Sequence, residues 1–327
     1  MRRVRRSGHL AAAAGLFVVT AAAFGVGLGM TARARIDEIP RVDSLTGVLS
    51  PPSATVNYLL VGSDSRAGAD PNDPDFGGIG DESQTGGKRS DTIMVLRYDR
   101  ASGDVALVSL PRDLWVDIAG GGANRINAAY AQGPDVLIAT VQSALGIPIH
   151  HYIEVDFQGF KQLVDAVGGV EVCFAYAARD LHTGLNIPDP GCYVLDGVQG
   201  LQYARSRYYE EFVDGEWRID GTADIGRTVR QQAFIEAAMT KAIESTLHNP
   251  FGAAALIDAG VDALLIDGSL DLPTMARQLR PVASGGVQRY TLAVRGTEID
   301  GKSVLQLQDE ALAVIAYFQG GPPPVSA

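Results

Sequence analysis

Short apolar runs bounded by glycine, proline or acidic residues dominate the first half of the chain. TVNYLLVG at 55–62 is a continuous apolar run that ends in glycine, which predicts a buried strand. SDTIMVLRYD at 90–99 and DVALVSLPRD at 104–113 predict two more strands, joined as a hairpin by a turn at 102–103. The stretch at 67–88 is rich in glycine, aspartate and proline, and it predicts a long loop between the first two strands.

Helical periods then alternate with further apolar runs. Helices are predicted at 126–132, 135–145, 158–167, 225–247 and 304–318, and strands at 150–155, 170–176 and 288–294. We find no internal repeat. Mixed alternation of this kind implies a sheet that is covered by helices on both faces. The sequence therefore predicts a single α/β domain at 55–320, with three α/β/α layers and a central mixed sheet, followed by a flexible tail at 321–327.

The N-terminus has the pattern of a membrane anchor. Residues 10–30 contain no charge and are about as long as a helix that crosses a bilayer. Four arginines precede this run and two follow it, which favours a cytoplasmic tail at 1–9, a transmembrane signal-anchor at 10–30 and an extracytoplasmic remainder of type II topology. A cleaved signal peptide is the alternative, because Ala32 and Ala34 are small residues at the spacing of a cleavage site.

The residues after this run predict a linker. Pro40, Pro51 and Pro52, together with several polar residues, favour a stalk at 36–54 over a packed element. The extracytoplasmic linker is therefore expected at 31–54.

Charge and cysteine content narrow the class of protein. The chain has a net charge of −11, although six arginines and no acidic residue lie in its first 35 positions. The remainder is thus strongly acidic, which argues against a nucleic-acid-binding protein that works through a broad basic face. Cys173 and Cys192 are the two cysteines, and an oxidising exterior favours a disulfide between them. Two buried free thiols are the alternative.

Arginines and aspartates cluster where strands are expected to end or helices to begin. Arginine outnumbers lysine by 23 to four, and its planar fork grips phosphate oxygens in pairs. An arginine-favouring, GC-rich genome would produce the same excess. The clustered residues are Asp64 and Arg66 in GSDSR, Arg89 and Asp91 in KRSD, Arg112 in LPRD, Arg205 and Arg207 in ARSR, and Asp224, Arg227 and Gln231 in DIGRTVRQQ.

These positions match the usual place of ligands in open α/β sheets, and the expected start of a helix at DIGR would assist in receiving an anion. Asp64 and Asp91 could hold a hard cation beside phosphate oxygens. Taken singly, each arginine is equally suited to a surface ion pair, and each aspartate to capping a turn. Other chemistries fit poorly, because the chain lacks a phosphate-binding P-loop, a GxSxG elbow and a zinc-ligand cluster.

In their order, the motifs resemble those of the LytR-CpsA-Psr family of bacterial cell-wall enzymes. The matching stretches are NYLLVGSDSR, RSDTIMVLRYDRASGDVALVSLPRD, RINAAYAQG, FQGFKQLVDAVGGVEV, LDGVQGLQYARSRYY and DIGRTVRQQAFI. The resemblance implies a phosphotransferase with an apolar tunnel for a polyprenyl tail. Such an enzyme moves a glycopolymer phosphate from polyprenyl diphosphate to a peptidoglycan sugar hydroxyl.

The resemblance also implies roles for individual residues. Diphosphate contacts are implied for Arg89, Arg112, Arg205, Arg207 and Arg227, with Gln231 beside them. Asp64 and Asp91 would bind Mg²⁺ or Mn²⁺, and Asp91 would help to deprotonate the attacking hydroxyl, with Arg89 and Arg112 as its catalytic neighbours. Second-rank candidates are Arg66, Arg125 and Asn127. The oligomeric state and the identity of the glycopolymer stay open.

Two long segments depart from the family pattern. The loop at 67–88 separates Asp64 from Arg89, and an insertion at 211–223 separates ARSR from DIGR. Either segment could cover the site or recognise the acceptor, and a mobile surface flap is the alternative. Two other functions also stay open at this point. One is a hydrolase that cleaves the same lipid diphosphate with water, and the other is a non-enzymatic wall-binding or regulatory protein.

Overall fold

The central sheet forms from the apolar runs of the sequence. In a computed structural model of the protein, the described residues are 30–65, 90–221, 223–248 and 250–324, and side chains are described except at 30–32, 91, 222–225 and 245–253. The strands are β1 (Arg41–Val42), β2 (Thr55–Ser63), β3 (Ser90–Asp99), β4 (Val105–Leu110), β5 (Trp115–Asp117), β6 (Ala123–Arg125), β7 (His151–Val155), β8 (Val170–Phe174), β9 (Ala178–Asp180), β10 (Leu185–Ile187), β11 (Gly191–Leu195), β12 (Glu210–Val213), β13 (Glu216–Ile219), β14 (Leu264–Asp267), β15 (Gln288–Thr291), β16 (Val294–Ile299) and β17 (Lys302–Leu307).

Helices follow or separate these strands. They are α1 (Met30–Ile36), α2 (Asn127–Tyr130), α3 (Pro134–Leu145), α4 (Phe157–Ala166), α5 (Gly197–Arg205), α6 (Ala223–His248), α7 (Pro250–Ala263), α8 (Leu272–Leu279), α9 (Val282–Gly285) and α10 (Ala311–Phe318), with a short 3-10 helix at Asp43–Gly47.

The seven-stranded sheet is mixed and has the order β1-β14-β7-β2-β3-β4-β15. Strand β2 is parallel to β7 and antiparallel to β3, and β3 is antiparallel to β4. The C-terminal ends of β2, β4 and β7 therefore meet at one edge of the sheet, together with the start of β3. This edge carries the candidate site.

Alternate residues of the central strands face two separate apolar cores. Tyr58 and Leu60 of β2 pack into one core with α4, α5, α6 and α8. Leu59 and Val61 pack into the other core with α2, α3 and α10. Every residue of β2 is buried, as expected for a central strand covered on both faces. The predicted α/β fold with a central mixed sheet and helices on both faces is confirmed.

Most predicted elements occur within one or two residues of their predicted bounds, but the tail differs. The helix predicted at 304–318 is wrong in its first part, because Lys302–Leu307 pairs with Val294–Ile299 as a hairpin. Asp300 and Gly301 form its turn with positive φ angles of 51° and 72°. An Asp-Gly pair suits the two-residue turn whose twist matches that of the flanking strands. Only Ala311–Phe318 is helical.

The insertion at 211–223 also contains a hairpin. Strands β12 and β13 pair around Asp214 and Gly215, whose φ angles are 55° and 84°. Strand β12 also pairs with β9, which produces a second sheet of order β10-β9-β12-β13. The insertion is thus part of a four-stranded sheet, in contrast to the surface flap that was considered from the sequence.

The segment expected to be a stalk packs against the domain. Ile36, Ile39 and Leu45 are buried, and β1 adds a parallel strand to the edge of the central sheet at β14. Burial of these apolar side chains outweighs the preference of the neighbouring prolines for an extended linker. The expected anchor at 10–30 lies outside the described residues apart from its last position. None of the helices that are described combines the length and apolar character needed to cross a membrane.

Cys173 and Cys192 form a disulfide. They occupy directly opposite positions of the antiparallel strands β8 and β11. The cross-link fixes the register of this strand pair, and β11 leads into α5 and its C-terminal arginine.

A buried histidine makes the stability of the fold dependent on pH. His150 accepts a hydrogen bond from the backbone N–H of Asn57 at 3.0 Å, and burial lowers its pKa to about 4. Unfolded histidine titrates near pH 6.5, so the unfolded chain gains a proton on acidification before the native protein does. We expect the stability to fall between roughly pH 6.5 and 4, and His150→Asn to flatten this slope. Urea midpoints at several pH values in this window measure it, and equal slopes in the two proteins would contradict it.

Candidate active site

Backbone register brings two of the predicted metal-binding residues to the same edge of the sheet. Ser63 of β2 pairs with Ser90 of β3, and the register shifts between Gly62 and Ser63. Because the strands are antiparallel, Asp64 lies just beyond this pair, whereas Asp91 lies on its other side, at the register shift opposite Gly62 and Ser63. Neighbouring strands lie about 5 Å apart, so the two backbones are adjacent here whatever the path of the long loop.

A hydrogen-bonded network lies beneath Asp64. The hydroxyl of Tyr130 lies 3.0 Å from the Ser63 hydroxyl and donates to Glu154 at 2.7 Å. Tyr152 donates to the other oxygen of Glu154 at 2.6 Å. Burial raises the pKa of Tyr130, and the negative charges of Glu154 and Asp64 raise it further. Both tyrosines therefore stay protonated, and the network ties the end of β2 to β7.

Asn127 connects the RSD and LPRD motifs. Its side-chain oxygen accepts a hydrogen bond from the backbone N–H of Ser90 at 2.9 Å. Its own backbone N–H donates to the carbonyl of Arg112 at 3.1 Å. The strand that carries Asp91 and the turn that carries Arg112 are thus held at a fixed distance by one residue. This contact gives Asn127 a positioning role.

Arg112 begins a chain of charged groups that runs away from the sheet. Its Nε lies 3.7 Å from one carboxylate oxygen of Asp113, and the other oxygen lies 3.5 Å from Nε of Arg125. Arg125 also donates to the carbonyl of Ser303 at 2.8 Å. Asp113 therefore forms ion pairs with both Arg112 and Arg125, which is the last residue of β6.

Three arginines from the second half of the chain are buried. Arg205, Arg207 and Arg227 are only 5%, 9% and 5% exposed. Their burial shows that these three arginines do not lie on the surface. The guanidinium of Arg205 lies 4.8 Å from the ring centroid of Phe157, which holds it over the first turn of α4.

A completely buried carboxylate, Asp180, fixes the loop that carries Arg207. One of its oxygens accepts hydrogen bonds from the backbone N–H groups of Arg207 at 3.0 Å and Tyr208 at 2.9 Å, and from the Ser206 hydroxyl at 2.7 Å. The other oxygen accepts from the backbone N–H groups of residues 182 and 183. These hydrogen bonds offset the cost of burial and leave the pKa of Asp180 below its usual value.

Helix α6 joins the end of α5 and the loop after it, residues 206–208, called the arginine loop below, to the central sheet. Gln231 donates to the carbonyl of Ala204 at 2.8 Å, and Arg230 donates to the carbonyl of Ser206 at 3.0 Å. On the next position, Gln232 donates to the hydroxyl of Ser109 near the end of β4 at 3.0 Å. Arg227, one turn earlier on α6, is therefore placed between the arginine loop and the LPRD turn.

Two cavities meet at Arg112. The first, of about 350 Å³, is also bordered by Arg227 and has mainly apolar walls. Its apolar side chains are those of Pro111, Leu292, Ala293, Val294 and Leu305. The second, of about 320 Å³, is polar and lies against Asn124, Arg125, Asn127 and Lys302. Because Arg112 and Asp113 line both, a ligand at Arg112 has apolar surroundings on one side and polar surroundings on the other.

Comparison with known proteins agrees with this arrangement. The LytR_cpsA_psr family model matches residues 32–319. The chain belongs to the LytR-CpsA-Psr family. Its similarity to "Probable cell wall biosynthesis protein LcpB" of Corynebacterium glutamicum is 36% identity over 259 residues, covering 79% of this chain and 59% of that protein. A TagU teichoic acid transferase of Halalkalibacterium halodurans is 30% identical over 238 residues, covering 72% and 74%.

The chain spans less than two thirds of the length of the corynebacterial relatives LcpB and LcpA. Among solved structures, a LytR-Csp2A-Psr enzyme from Actinomyces oris matches with a TM-score of 0.65 at 24% identity, covering 86% of this chain and 96% of that one. The family protein YwtF (TagT), solved with bound octaprenyl pyrophosphate lipid, matches with a TM-score of 0.56 at 21% identity, covering 84% and 93%. At these identities the likeness shows a shared fold.

Most of the predicted site residues lie in the described part of the chain, and their positions on the fold are known. Asp64, Arg112, Arg205, Arg207 and Arg227 all lie at or beside the edge where β2, β4 and β7 end. Arg66 and Arg89 lie outside the described residues, and so do the side chains of Asp91 and Asp224. Gln231 braces α5 through its amide, and its predicted contact with diphosphate stays a prediction.

The residues at this edge are compatible with a hard cation. Within the described side chains, no group of three or more His, Cys, Asp or Glu residues could hold a metal ion. Mg²⁺ is commonly bound by only one or two carboxylates, with substrate phosphates supplying further oxygens. Asp64 and Asp91 lie on neighbouring strands, on either side of the Ser63–Ser90 pair, which suits this mode, and the metal itself stays a prediction.

Sequence reasoning missed several residues that support the site. Asp180 lies in a three-residue strand without a recognisable motif. Glu154 and Tyr130 belong to runs that were assigned to a strand and a helix for their apolar pattern. Each lies far along the chain from the residues that it holds, so only the folded structure connects them.

Proposed function

We propose that this chain transfers a glycopolymer phosphate from a polyprenyl-diphosphate carrier to a sugar hydroxyl of peptidoglycan. The observation that carries the proposal is the position of Arg112 between an apolar and a polar cavity. A lipid-linked sugar diphosphate has the same division, with an apolar chain on one phosphate and a sugar on the other. The names of the TagU relatives and the lipid bound to TagT support the same substrate class.

The charges at the site suit phosphoryl transfer. The acceptor oxygen would attack the phosphorus that carries the glycan, and the bond from this phosphorus to the bridging oxygen would break. Polyprenyl phosphate leaves, and the hydroxyl proton passes to Asp91. Arginines on both sides would neutralise charge on the equatorial and leaving oxygens, which is the main form of catalysis in such reactions. No covalent intermediate with the protein is needed.

The position of each arginine determines which of the two phosphates it would hold. Arg112 and Arg227 border the apolar cavity and would hold the phosphate next to the lipid. Arg205 at the end of α5 and Arg207 on the loop that follows it would hold the phosphate that is transferred, with Arg89 as a further predicted contact. Asp64 and Asp91 would hold Mg²⁺ or Mn²⁺, which supplies charge neutralisation for the diphosphate oxygens.

The proposed compartment follows from the sequence of the N-terminus. We place the domain outside the cell membrane, tethered by residues 10–30 as a type II signal-anchor. In that position the lipid carrier can enter the site from the membrane, and the activated diphosphate removes any need for ATP.

Product analysis tests this function directly. Purified full-length protein is incubated with a polyprenyl-diphosphate-linked glycan in ¹⁸O-labelled water, with or without peptidoglycan glycan strands. We expect mass spectrometry to detect a glycan–peptidoglycan phosphodiester without ¹⁸O from the solvent. Release of ¹⁸O-labelled phosphoglycan alone, even with acceptor present, would show a hydrolase. Tight binding of the lipid-linked glycan without any product would favour the non-enzymatic protein.

A further inference from the structure

The inserted hairpin gives the second sheet an outer face that the diphosphate site does not use. The paired positions Glu210–Arg179 and Phe212–Trp217 put four side chains on one face of the sheet, since directly paired residues and alternate residues of a strand share a face. Ile219, which pairs with Glu210, lies on the same face. The opposite face of β9 and β10 is buried in the core. This outer face, formed by Arg179, Glu210, Phe212, Trp217 and Ile219, is called the hairpin face below.

Two aromatic rings lie at the centre of the hairpin face; Phe212 is exposed and Trp217 is partly buried. The rings of Phe212 and Trp217 lie 5.3 Å apart at an angle of 54°. Phe212 is 42% exposed and Ile219 is 59% exposed. Arg179 stacks on Trp217 with its guanidinium 4.0 Å from the ring centroid and donates to Glu210 at 2.6 Å. The rings are therefore held in place by polar groups that flank them.

The hairpin face is rigidly connected to the arginine loop. Arg179 is on the hairpin face, while the next residue, Asp180, points inward and accepts from the backbone N–H of Arg207. Glu210 is three residues beyond Arg207, so their Cα atoms are at most about 11 Å apart. A molecule bound on the hairpin face would thus extend to the proposed position of the transferred phosphate.

The chemistry of the hairpin face fits the sugar rings of a glycan chain. Pyranose rings present apolar C–H faces to aromatic rings, and their equatorial hydroxyls and amides reach flanking polar groups such as Arg179 and Glu210. Acidic residues at and around the hairpin, including Glu211, Asp214 and Glu216, would repel an anionic membrane surface. A stable contact with a second copy needs about 800 Å² on each partner, which one exposed ring and one partly buried ring among charges do not offer.

We infer that the hairpin face binds the glycan strand of the peptidoglycan acceptor and guides its hydroxyl toward the phosphate beside Arg207. This inference rests on the proposed function, because the acceptor is defined by that reaction. It gives the insertion at 211–223 a role in acceptor specificity.

Separate measurement of donor and acceptor kinetics tests the inference. In full-length protein, Phe212→Ala and Trp217→Ala should each raise the KM for uncrosslinked peptidoglycan glycan strands about tenfold, as expected for loss of one anchoring aromatic side chain. The KM for the lipid-linked donor should stay within about twofold, which also shows that the variants are folded. Trp217→Phe should restore most of the acceptor affinity. Leu312→Ala, which truncates an exposed side chain on α10, is the matched control.

A direct binding measurement tests the hairpin face separately from the proposed transfer reaction. Calorimetry with the same glycan strands does not require turnover, so wild-type binding that is lost in Phe212→Ala supports the hairpin face even if no phosphodiester forms. An unchanged acceptor KM and unchanged binding in both alanine variants would overturn it. Equal rises in donor and acceptor KM would also overturn it, since the hairpin would then act through the arginine loop. Binding to phosphatidylglycerol vesicles that depends on Phe212 would assign the face to the membrane instead.

Discussion

Replacing Arg207 by alanine is expected to lower the kcat of transfer by about 10²- to 10³-fold, the usual effect of removing a fixed donor to developing charge. Arg207 is 9% exposed, and its backbone N–H is hydrogen-bonded to a buried carboxylate. The guanidinium is therefore placed before substrate arrives and needs little reorganisation during the reaction. Single-turnover rates with the lipid-linked donor measure the chemical step without product release.

Two further variants accompany Arg207→Ala: one separates charge from shape at position 207, and the other is a control at a distant arginine. Arg207→Lys keeps the positive charge but loses the planar fork, so we expect it to recover only a small part of the lost rate. Arg289→Ala removes a half-exposed arginine that pairs with Glu236 near the middle of α6, and it should leave transfer near the wild-type rate. A rate for Arg207→Ala within a few-fold of wild type would remove Arg207 from the catalytic groups.

The sequence predicts the central sheet well because its strands are buried on both faces. A run such as TVNYLLVG has no other stable place than the interior, and its neighbours in the chain form the adjacent hairpin. The motif residues follow these strands directly, so their common edge could be inferred from strand ends alone. Asp64 and Arg112 are found there.

The hairpins β12–β13 and β16–β17 were not predicted, although the sequence at their turns is typical of a hairpin. Both β12–β13 and β16–β17 turn at an Asp-Gly pair with two left-handed residues. Asp-Gly between polar, alternating strands predicts such a turn, but the flanking residues are half exposed and give a weak apolar period. The charged insertion therefore resembled a loop, and Val304–Leu305 seemed continuous with the helix that follows.

The residues that hold the site cannot be predicted from local sequence. Asn127 bridges two motifs that precede it, and Asp180 accepts from residues 27 and 28 positions later. Nothing in the sequence around either residue indicates which distant backbone group it meets. Their roles arise from strand order, and strand order is decided by the packing of the whole domain.

Asp180 is the supporting residue whose removal should have the largest effect on transfer. Asp180→Ala leaves the backbone N–H groups of Arg207 and Tyr208 without their acceptor in a buried loop, at a cost of about 1–3 kcal/mol for each group. Loss of positioning by about 1 Å can lower a rate about 10²-fold, and we expect kcat to fall by this amount while the donor KM changes less. A fall of less than about twofold in a folded variant would show that the loop holds its shape unaided.

Asp196→Ala provides a control at the N-terminus of α5, the helix that ends at Arg205. Asp196 caps the N-terminus of α5, and its carboxylate accepts from the backbone N–H of Gln199 at 2.8 Å. Its loss should cost about 1 kcal/mol of stability, as for other helix caps, but at the end of α5 that lies about 12 Å from Arg205. We therefore expect Asp196→Ala to lower the melting temperature with little change in kcat, whereas Asp180→Ala lowers both.

The acid stability of Asp180→Asn shows whether Asp180 stabilises the arginine loop as an ionised carboxylate or only as a buried polar side chain. The native pKa of Asp180 lies below its unfolded value near 4, so its contribution to stability is complete above about pH 4 and is lost as the pH falls through the native pKa. Asp180→Asn removes this titration, because the amide carries no charge at any pH. The stability difference between wild type and variant should therefore be largest above about pH 4 and shrink below it, outside the window in which His150 titrates. A difference that stays constant down to about pH 2 would mean that the pKa of Asp180 is the same in the folded and unfolded protein, and that hydrogen bonds to the ionised carboxylate do not stabilise the arginine loop.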